Sequence, residues 1–480
     1  MRVVSNMIFK LKASSLVINS AWGVIANILQ NIFNSLFFVL IARYYTSEQL
    51  GHFLLSNTVY QLVAVFSSMG LSSWFVREYT SELDKYIFTN RYFKLQGFLG
   101  ILFYIINVLL IFSLYSDYNI RFIGVVLGLN IIFDNTINSI KSLNIAKSLQ
   151  KRTANVLVMD GFFKLVVSVF CVYLKFPIIY LAFALVFSRV ITLNIFMITG
   201  GYYKNIVTRS VGEIVSYTYL KEVVFSNWRF VVIGSVSVVY WSFANIVISK
   251  FMPVSAVSQY EIASRIFSLT IIIPIIISGS VYPQFVQYFN DQDKDRLRVL
   301  YDKMFVVYTL FSLISYSFIV AFAPKLIPFI FGDKYQTAIF CIIQMFLAIL
   351  VFPTTLLQAN LIVAMKLENL DMWFNLTSLI MHVFLSIIGL YFFKSLSVIN
   401  YSIFMSFIVF HISQDVVLIR RKITTLSRCF RHYVLLASFV SGYHFLLKTT
   451  NAYFAFGLMS CAVLIVIGFT PVYKRKIIIN

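Results

Sequence analysis

Charge is what this chain has least of. Of its 480 residues only 12% are Asp, Glu, Lys or Arg, while 60% are hydrophobic and the mean hydropathy is +0.86. A water-soluble domain carries about 25% charged residues, so a soluble globular protein is excluded. Cysteine is as scarce. Cys171, Cys341, Cys429 and Cys461 stand far apart, mostly inside apolar runs and without a CxxC spacing. That excludes a disulfide framework or a thiolate metal site and leaves buried, inert thiols. The five histidines show no metal-binding spacing either. Long polar stretches are also missing, so neither face has room for a soluble catalytic domain. Acidic residues are outnumbered, 18 against 39 Lys and Arg. This excess does not indicate nucleic acid as a partner, because the basic residues sit in short loops at the ends of apolar runs, where they set membrane topology.

What the chain does have is apolar runs of spanning length. They fall near residues 14–41, 51–75, 95–115, 121–143, 155–175 and 177–200, and again near 223–249, 262–289, 304–323, 337–363, 371–393 and 396–419. Two more lie near 432–447 and 452–472. A span needs about 20 apolar residues, and these predict an all-α polytopic membrane protein with about fourteen transmembrane helices. Twelve core helices would form two six-helix lobes around a central cavity, residues 1–210 and 211–420, followed by a basic loop and a C-terminal pair in 421–480. The basic start, Met1 to Lys12, resembles a signal-peptide n-region, but the apolar run after it has no small-residue cleavage site and reads as a retained first helix.

The basic residues test this count. Most alternate onto one side, from Arg2, Lys10 and Lys12 through Arg77, Lys141, Lys204 and Lys294 to the run Arg420-Arg421-Lys422 and Lys474-Arg475-Lys476. Only Arg43, Arg121, Lys175, Lys250, Lys325, Lys334, Lys394 and Lys448 fall on the other. The positive-inside rule then places both termini in the cytoplasm.

Polar residues inside the spans recur at helical spacing. The first span carries Ser20, Asn27, Gln30, Asn31 and Asn34, the fourth Asn130, Asp134, Asn138 and Lys141, and the fifth Asp160, Lys164 and Ser168. The seventh holds Arg229, Ser242 and Asn245, and the eleventh Asn375, Ser378, His382 and Ser386. Spacings of three, four and seven put each set on one helix face. For Asn and Ser, hydrogen bonding between helices weighs about as much as a polar cavity. For Lys164, Arg189, Arg229 and Arg265 the demand is stronger, since a charge at bilayer depth costs at least about 2.5–3.5 kcal/mol. A water-filled cavity or an ion pair would meet it. Asp134 and Lys164, on adjacent helices, would neutralise each other, and Glu261 and Arg265, at i and i+4, would form an intrahelical pair. A cavity lined by asparagines and arginines suits a solute that is both sugar and phosphate, because amides match hydroxyls and guanidinium forks match phosphate oxygens.

The two halves also share a faint repeat. Arg43-Tyr44…Ser47…Gly51-His52 is echoed by Lys250-Phe251…Ser255…Gln259-Tyr260, and Gly70…Phe75-Val76-Arg77 by Gly279…Phe285-Val286-Gln287. Duplicated bundles are common among transporters.

The run Ile41-Ala42-Arg43-Tyr44-Tyr45…Glu48-Gln49-Leu50-Gly51, followed by Gly70-Leu71…Val76-Arg77-Glu78, resembles the opening of polysaccharide-biosynthesis flippases of the O-antigen (Wzx) type. Asn245…Ile248…Lys250, then Tyr260…Ala263…Arg265 and Pro274…Pro283, resembles the start of their second half, and Phe331-Gly332 also fits. The resemblance covers roughly residues 14–420 in layout. It implies a transporter of the multidrug/oligosaccharidyl-lipid/polysaccharide exporter superfamily, in a bacterial inner membrane, that alternates between inward-open and outward-open states. The substrate would be an undecaprenyl-pyrophosphate-linked oligosaccharide. Arg265 stands in a Tyr-Ala-x-Arg-like context where related lipid II flippases carry a cavity arginine, which implies a pyrophosphate contact. Two departures stand out: the first span has no Arg-Asp pair, and Asn245 replaces an aspartate common in the family.

The expected binding residues are therefore Arg265, Arg229, Arg189, Lys164, Asn27, Asn31, Asn34 and Asn245. Asp134, Asp160 and Glu261, with Asp415, are candidates for coupling to a proton or sodium gradient or to the membrane potential. No cofactor is expected. The expected partners are the lipid-linked oligosaccharide, membrane lipids, a polysaccharide polymerase and a chain-length regulator. A drug or cation antiporter would want a greasier cavity with an acidic focus. A membrane polymerase, ligase or glycosyltransferase would want a long external loop.

Overall fold

The computed structural model describes Gly23, Ile25, Ala26 and residues 28–200 and 217–468, with side chains left undescribed at 217–220, 222, 224–234 and 463–468. The protein is an all-α polytopic membrane protein, and each of the fourteen expected spans carries helix over its described residues. Among them, ten stretches are long and apolar enough to cross a membrane. The expectations for Ser20, Asn27 and the basic residues at both termini lie outside the described residues.

The chain divides into two compact units, residues 1–242 and 243–480. The first contains α1 (Ile28–Tyr44), α2 (Ser47–Ser67), α3 (Leu71–Ser81), α4 (Lys85–Leu114), α5 (Tyr118–Gly128), α6 (Asn130–Ala146), α7 (Gln150–Tyr173) and α8 (Ile178–Gly200). Helix α9 (Tyr217–Phe251) runs through the boundary. The second unit continues with α10 (Val254–Asn290), α11 (Lys294–Phe331), α12 (Ala338–Met345), α13 (Phe352–Ala364), α14 (Glu368–Phe393), α15 (Leu396–Arg420), α16 (Leu426–Thr449) and α17 (Ala452–Gly468).

Short polar caps start these helices at the ends of the apolar runs. Thr46 and Gln49 form a reciprocal capping box before α2, each side chain at 3.2 Å from the other's backbone N–H. Asp84 accepts from the Tyr86 and Ile87 amides before α4, and Asp293 from that of Arg296 before α11. Each cap satisfies amide donors that a helix start leaves unpaired. Several helices stop with a left-handed residue that is not glycine: Lys175 (φ 57°), Lys366 (φ 60°) and Lys422 (φ 59°). In each case the next amide reaches back to a carbonyl five residues earlier, as Phe176 does to Cys171 at 2.9 Å, which closes the helix end.

Three expected spans are broken. Met69 (φ 47°) and Gly70 (φ 59°) separate α2 from α3, Leu129 separates α5 from α6, and α12 gives way to a 3-10 turn at Ala348–Leu350 before α13. Pro353 opens α13 in its first turn, where a missing N–H costs no hydrogen bond. Conversely, Pro274 and Pro283 both lie inside the continuous α10.

Each unit has its own core. In the first, Phe75 of α3 stacks on Tyr92 of α4 at 4.2 Å, with Leu95, Leu99, Ile137 and Ile140 around it. In the second, Phe285, Tyr301, Tyr308, Leu357 and Leu418 join α10, α11, α13 and α15.

Candidate substrate-binding and coupling residues

In the first unit, the charges that the sequence scatters over three spans meet at one place. Arg189 of α8 lies between two carboxylates. Its Nε is 3.1 Å from Asp134 Oδ1 on α6, and its Nη1 is 3.3 Å from Asp160 Oδ2 on α7. Lys164, one turn beyond Asp160, puts its Nζ 2.7 Å from the same oxygen. Two uncharged residues complete the shell: Thr192 Oγ1 donates to Asp160 Oδ1 at 2.8 Å, and the Tyr60 hydroxyl of α2 donates to Asp134. Helical spacing explains the convergence within each helix, since Asp160 and Lys164 are four apart and Arg189 and Thr192 three apart.

The pairing expected from sequence, Asp134 with Lys164, is replaced by a different one. Lys164 takes the aspartate of its own helix, and Asp134 takes Arg189. Helix spacing shows which residues share a face, but the rotation of α7 against α6 decides which of them meet. Lys141 lies within electrostatic reach of Asp134, Asp160 and Arg189, and its Nζ donates to Asn138 at 3.2 Å. Two carboxylates thus face three cations, leaving one positive charge over.

This cluster is only partly enclosed. The Asp160 side chain is 0% exposed, but those of Lys164 and Arg189 are 16% and 21% exposed. The cations are held by a buried carboxylate and still open on one side. Helix α1 comes close beside it: a Cβ on Gly161 would sit 3.2 Å from Phe33 Cβ and 3.5 Å from the Gln30 Cα. Gln30 belongs to the polar face of α1, on which Asn31 is exposed and Asn34 half-buried.

In the second unit, Asn245 of α9 and Glu261 and Arg265 of α10 form a smaller group. Asn245 Nδ2 donates to Glu261 Oε2 at 3.0 Å, and Arg265 Nε is 3.0 Å from Glu261 Oε1. The expected intrahelical pair is present, and 41% of the Arg265 side chain is exposed. Asn245 is itself buried and serves as the donor that holds Glu261. The Arg229 side chain and Asn27 lie outside the description.

Sequence reasoning missed Tyr60 and Thr192. Thr192 carried a signal, one turn from Arg189 on the same face. Tyr60 carried none, because its partner is 74 residues away.

A family model described as polysaccharide biosynthesis protein matches residues 55–340, more than half of the chain. No curated protein matches the sequence. Among solved structures, the chain is similar to the lipid II flippase MurJ in an inward closed conformation, with TM-score 0.73 and 15% identity over 94% of this chain and 98% of that one. It is also similar to an inward-facing multidrug resistance MATE family transporter of the MOP superfamily, with TM-score 0.66 and 15% identity over 82% and 94%. A MOP superfamily transporter from Pyrococcus furiosus matches with TM-score 0.57 and 15% identity over 84% and 94%. At such identity these likenesses establish a shared fold.

Proposed function

The chain belongs to the polysaccharide biosynthesis protein family, and we propose that it is a transporter that flips a lipid-linked oligosaccharide across the membrane. In this reading the cargo is an undecaprenyl-pyrophosphate-linked repeat unit of an O-antigen or similar surface polysaccharide. It passes from the cytoplasmic to the periplasmic leaflet of a bacterial inner membrane, both chain termini being cytoplasmic. The task is to carry a polar head past about 30 Å of hydrocarbon while the isoprenoid tail stays in lipid.

The observation that carries this reading is the partly open Arg189–Lys164 pair, held on Asp160 and Asp134 within apolar helices. A pyrophosphate offers acceptor oxygens to the guanidinium fork and the ammonium, contacts that are stronger than neutral hydrogen bonds. The asparagines of α1, Asn27, Asn31 and Asn34, suit sugar hydroxyls. Arg265 and Arg229 are the further cations proposed to contact the pyrophosphate, with Asn245 holding Glu261 in place.

Competition gives the cycle a direction. A cation engaged by pyrophosphate releases its carboxylate, and a released Asp134, Asp160 or Glu261 becomes a site for a proton or a sodium ion. An ion that neutralises the carboxylate favours substrate on the cation, whereas loss of the ion restores the internal pair and expels the phosphate. The reaction makes and breaks no covalent bond, so no cofactor is needed. A polymerase and its chain-length regulator would consume the flipped unit.

The test is a strain lacking this protein but keeping its glycosyltransferases. Completed isoprenoid-linked oligosaccharide should accumulate on the cytoplasmic side, and the wild type should relieve this while Arg189→Ala and Arg265→Ala do not. Completed units found unpolymerised on the outer leaflet would instead make this a protein of a later step.

A further inference from the structure

A second group of titratable side chains lies in the 243–480 unit, around Asp415. His411 on α15 is fully buried (0% exposed), and its Nδ1 is 3.2 Å from Asp415 Oδ2, one turn on. The Tyr433 hydroxyl of α16 bridges both, 2.6 Å from His411 Nδ1 and 2.9 Å from Asp415 Oδ2. Gln358 of α13 donates to Asp415 Oδ1 at 2.7 Å and to the Tyr301 hydroxyl at 3.0 Å.

The donor count sets the imidazole tautomer. Tyr433 has one proton, and it is spent on the ionised Asp415. The Tyr433 oxygen must then accept from His411, so His411 carries its hydrogen on Nδ1. That leaves Nε2 with a bare lone pair, and this atom has no hydrogen-bond partner among the described residues. A buried lone pair without a donor is costly as it stands. Protonation at Nε2 would turn His411 into a cation beside Asp415, whose charge is already oriented by Gln358 and Tyr433. Neither the remaining acceptors of Asp415 nor a single imidazole nitrogen makes a metal ligand set, so the fitting ligand is a proton.

A second buried imidazole lies beside it. His432 of α16 stacks on His411 with ring centroids 5.5 Å apart and an interplanar angle of 21°. It is 5% exposed, and its Nε2 too has no partner among the described residues. His432 lies in the second turn of α16, next to the basic loop that precedes that helix. At this spacing, two imidazolium charges repel, so the two rings share one proton.

The other groups facing His411 do not change this count. From α11 come Tyr301 and Asp302, the latter engaged by Arg428 of α16, and Phe305 lies edge-on to His432 at 4.7 Å. Helix α16 adds Cys429. Helix α13 presents only the neutral Gln358. Helix α14 carries Asp371 and His382, which bond on their own helix to Asn375 and Ser386 respectively, and α12 carries Cys341, bonded to Asn400.

We propose that His411, paired with Asp415 and stacked on His432, is a proton-binding site whose loading drives the transport cycle from the second unit. The coupling half of this statement rests on the transport reading above; the binding half does not. The test uses the purified full chain in lipid nanodiscs, with 15N-labelled histidine followed from about pH 8 to about pH 5. His411, identified by the resonance lost in His411→Asn, should start as the Nδ1–H tautomer with a bare Nε2 and end doubly protonated. By potentiometric titration the wild type should take up about one proton more than His411→Asn/His432→Asn. Should that variant fail to fold, Asp415→Asn keeps the shape, and its His411 should stay singly protonated over the same range. A wild-type His411 that begins as the Nε2–H tautomer, or stays neutral to pH 5, overturns the proposal.

The second arm is uptake of a lipid-linked oligosaccharide by proteoliposomes with and without an imposed pH gradient. The gradient should speed the wild type at least several-fold and His411→Asn by clearly less. An equal response in both overturns the coupling. A wild type that moves no substrate in any gradient defeats the transport reading instead, and the titration still decides the proton site.

Discussion

Asp160→Ala is the substitution that separates what the intramembrane cluster does for stability from what it does for transport. Asp160 is fully buried and accepts from Lys164 at 2.7 Å, Thr192 at 2.8 Å and Arg189 at 3.3 Å. Its removal leaves Lys164 without its carboxylate and Arg189 with Asp134 alone. Breaking a buried ion pair from one side costs about 3–5 kcal/mol. Because Lys164 and Arg189 are 16% and 21% exposed, residual water lowers the expected loss to about 3 kcal/mol, the bottom of that range. The double variant Asp160→Leu/Lys164→Leu removes both partners together and keeps Arg189 on Asp134. Apolar replacement of a buried pair is often neutral or stabilising, so this variant should regain most of the lost stability. Transport should nevertheless remain lost, because a cation and an exchangeable carboxylate are gone. Thermal stability is read as the monodisperse fraction of purified protein after heating, and transport by complementation of the deletion strain. A stable Asp160→Ala, or a double variant that transports like the wild type, refutes the reasoning.

Other outcomes follow from the same geometry. Glu261→Gln breaks a pair whose arginine is 41% exposed, so its stability should stay within about 1 kcal/mol of wild type, while substrate release should slow in a pulse-chase of the lipid-linked sugar. Gly161→Val would drive a side chain into Phe33 and the Gln30 backbone. It should cost about 1–3 kcal/mol by overpacking, seen as a lower melting temperature, and a variant as stable as wild type would contradict the close α1–α7 approach. Gly332→Ala places a Cβ at φ 95° and should destabilise by about 1–3 kcal/mol in the same assay.

The helices were legible because length and hydropathy are local properties. The eleventh span, 371–393, coincides with α14 (Glu368–Phe393) almost to its ends. The breaks were harder to read. Pro353 marked one of them, but at Leu129 the flanking Gly128 and Asn130 occur as readily inside a membrane helix as at its end. At the site, Asp160 and Lys164 could be placed on one face from spacing alone. Which aspartate Arg189 would take depends on how α6, α7 and α8 are rotated, and spacing does not contain that. His411 and Asp415 stand four apart in the sequence, but Gln358 and Tyr433 complete that site from 57 and 18 residues away from Asp415. Sequence shows faces, and packing chooses partners.

The most direct test of the central claim is leaflet exchange by the purified chain. Proteoliposomes would carry an undecaprenyl-pyrophosphate oligosaccharide with a fluorescent sugar, and an impermeant quencher would report how much is outside. The wild type should bring protected substrate into the quencher's reach, empty liposomes should not, and Arg189→Ala should be slowed to near the empty-liposome rate. Wild-type liposomes whose protected fraction never falls would contradict that claim.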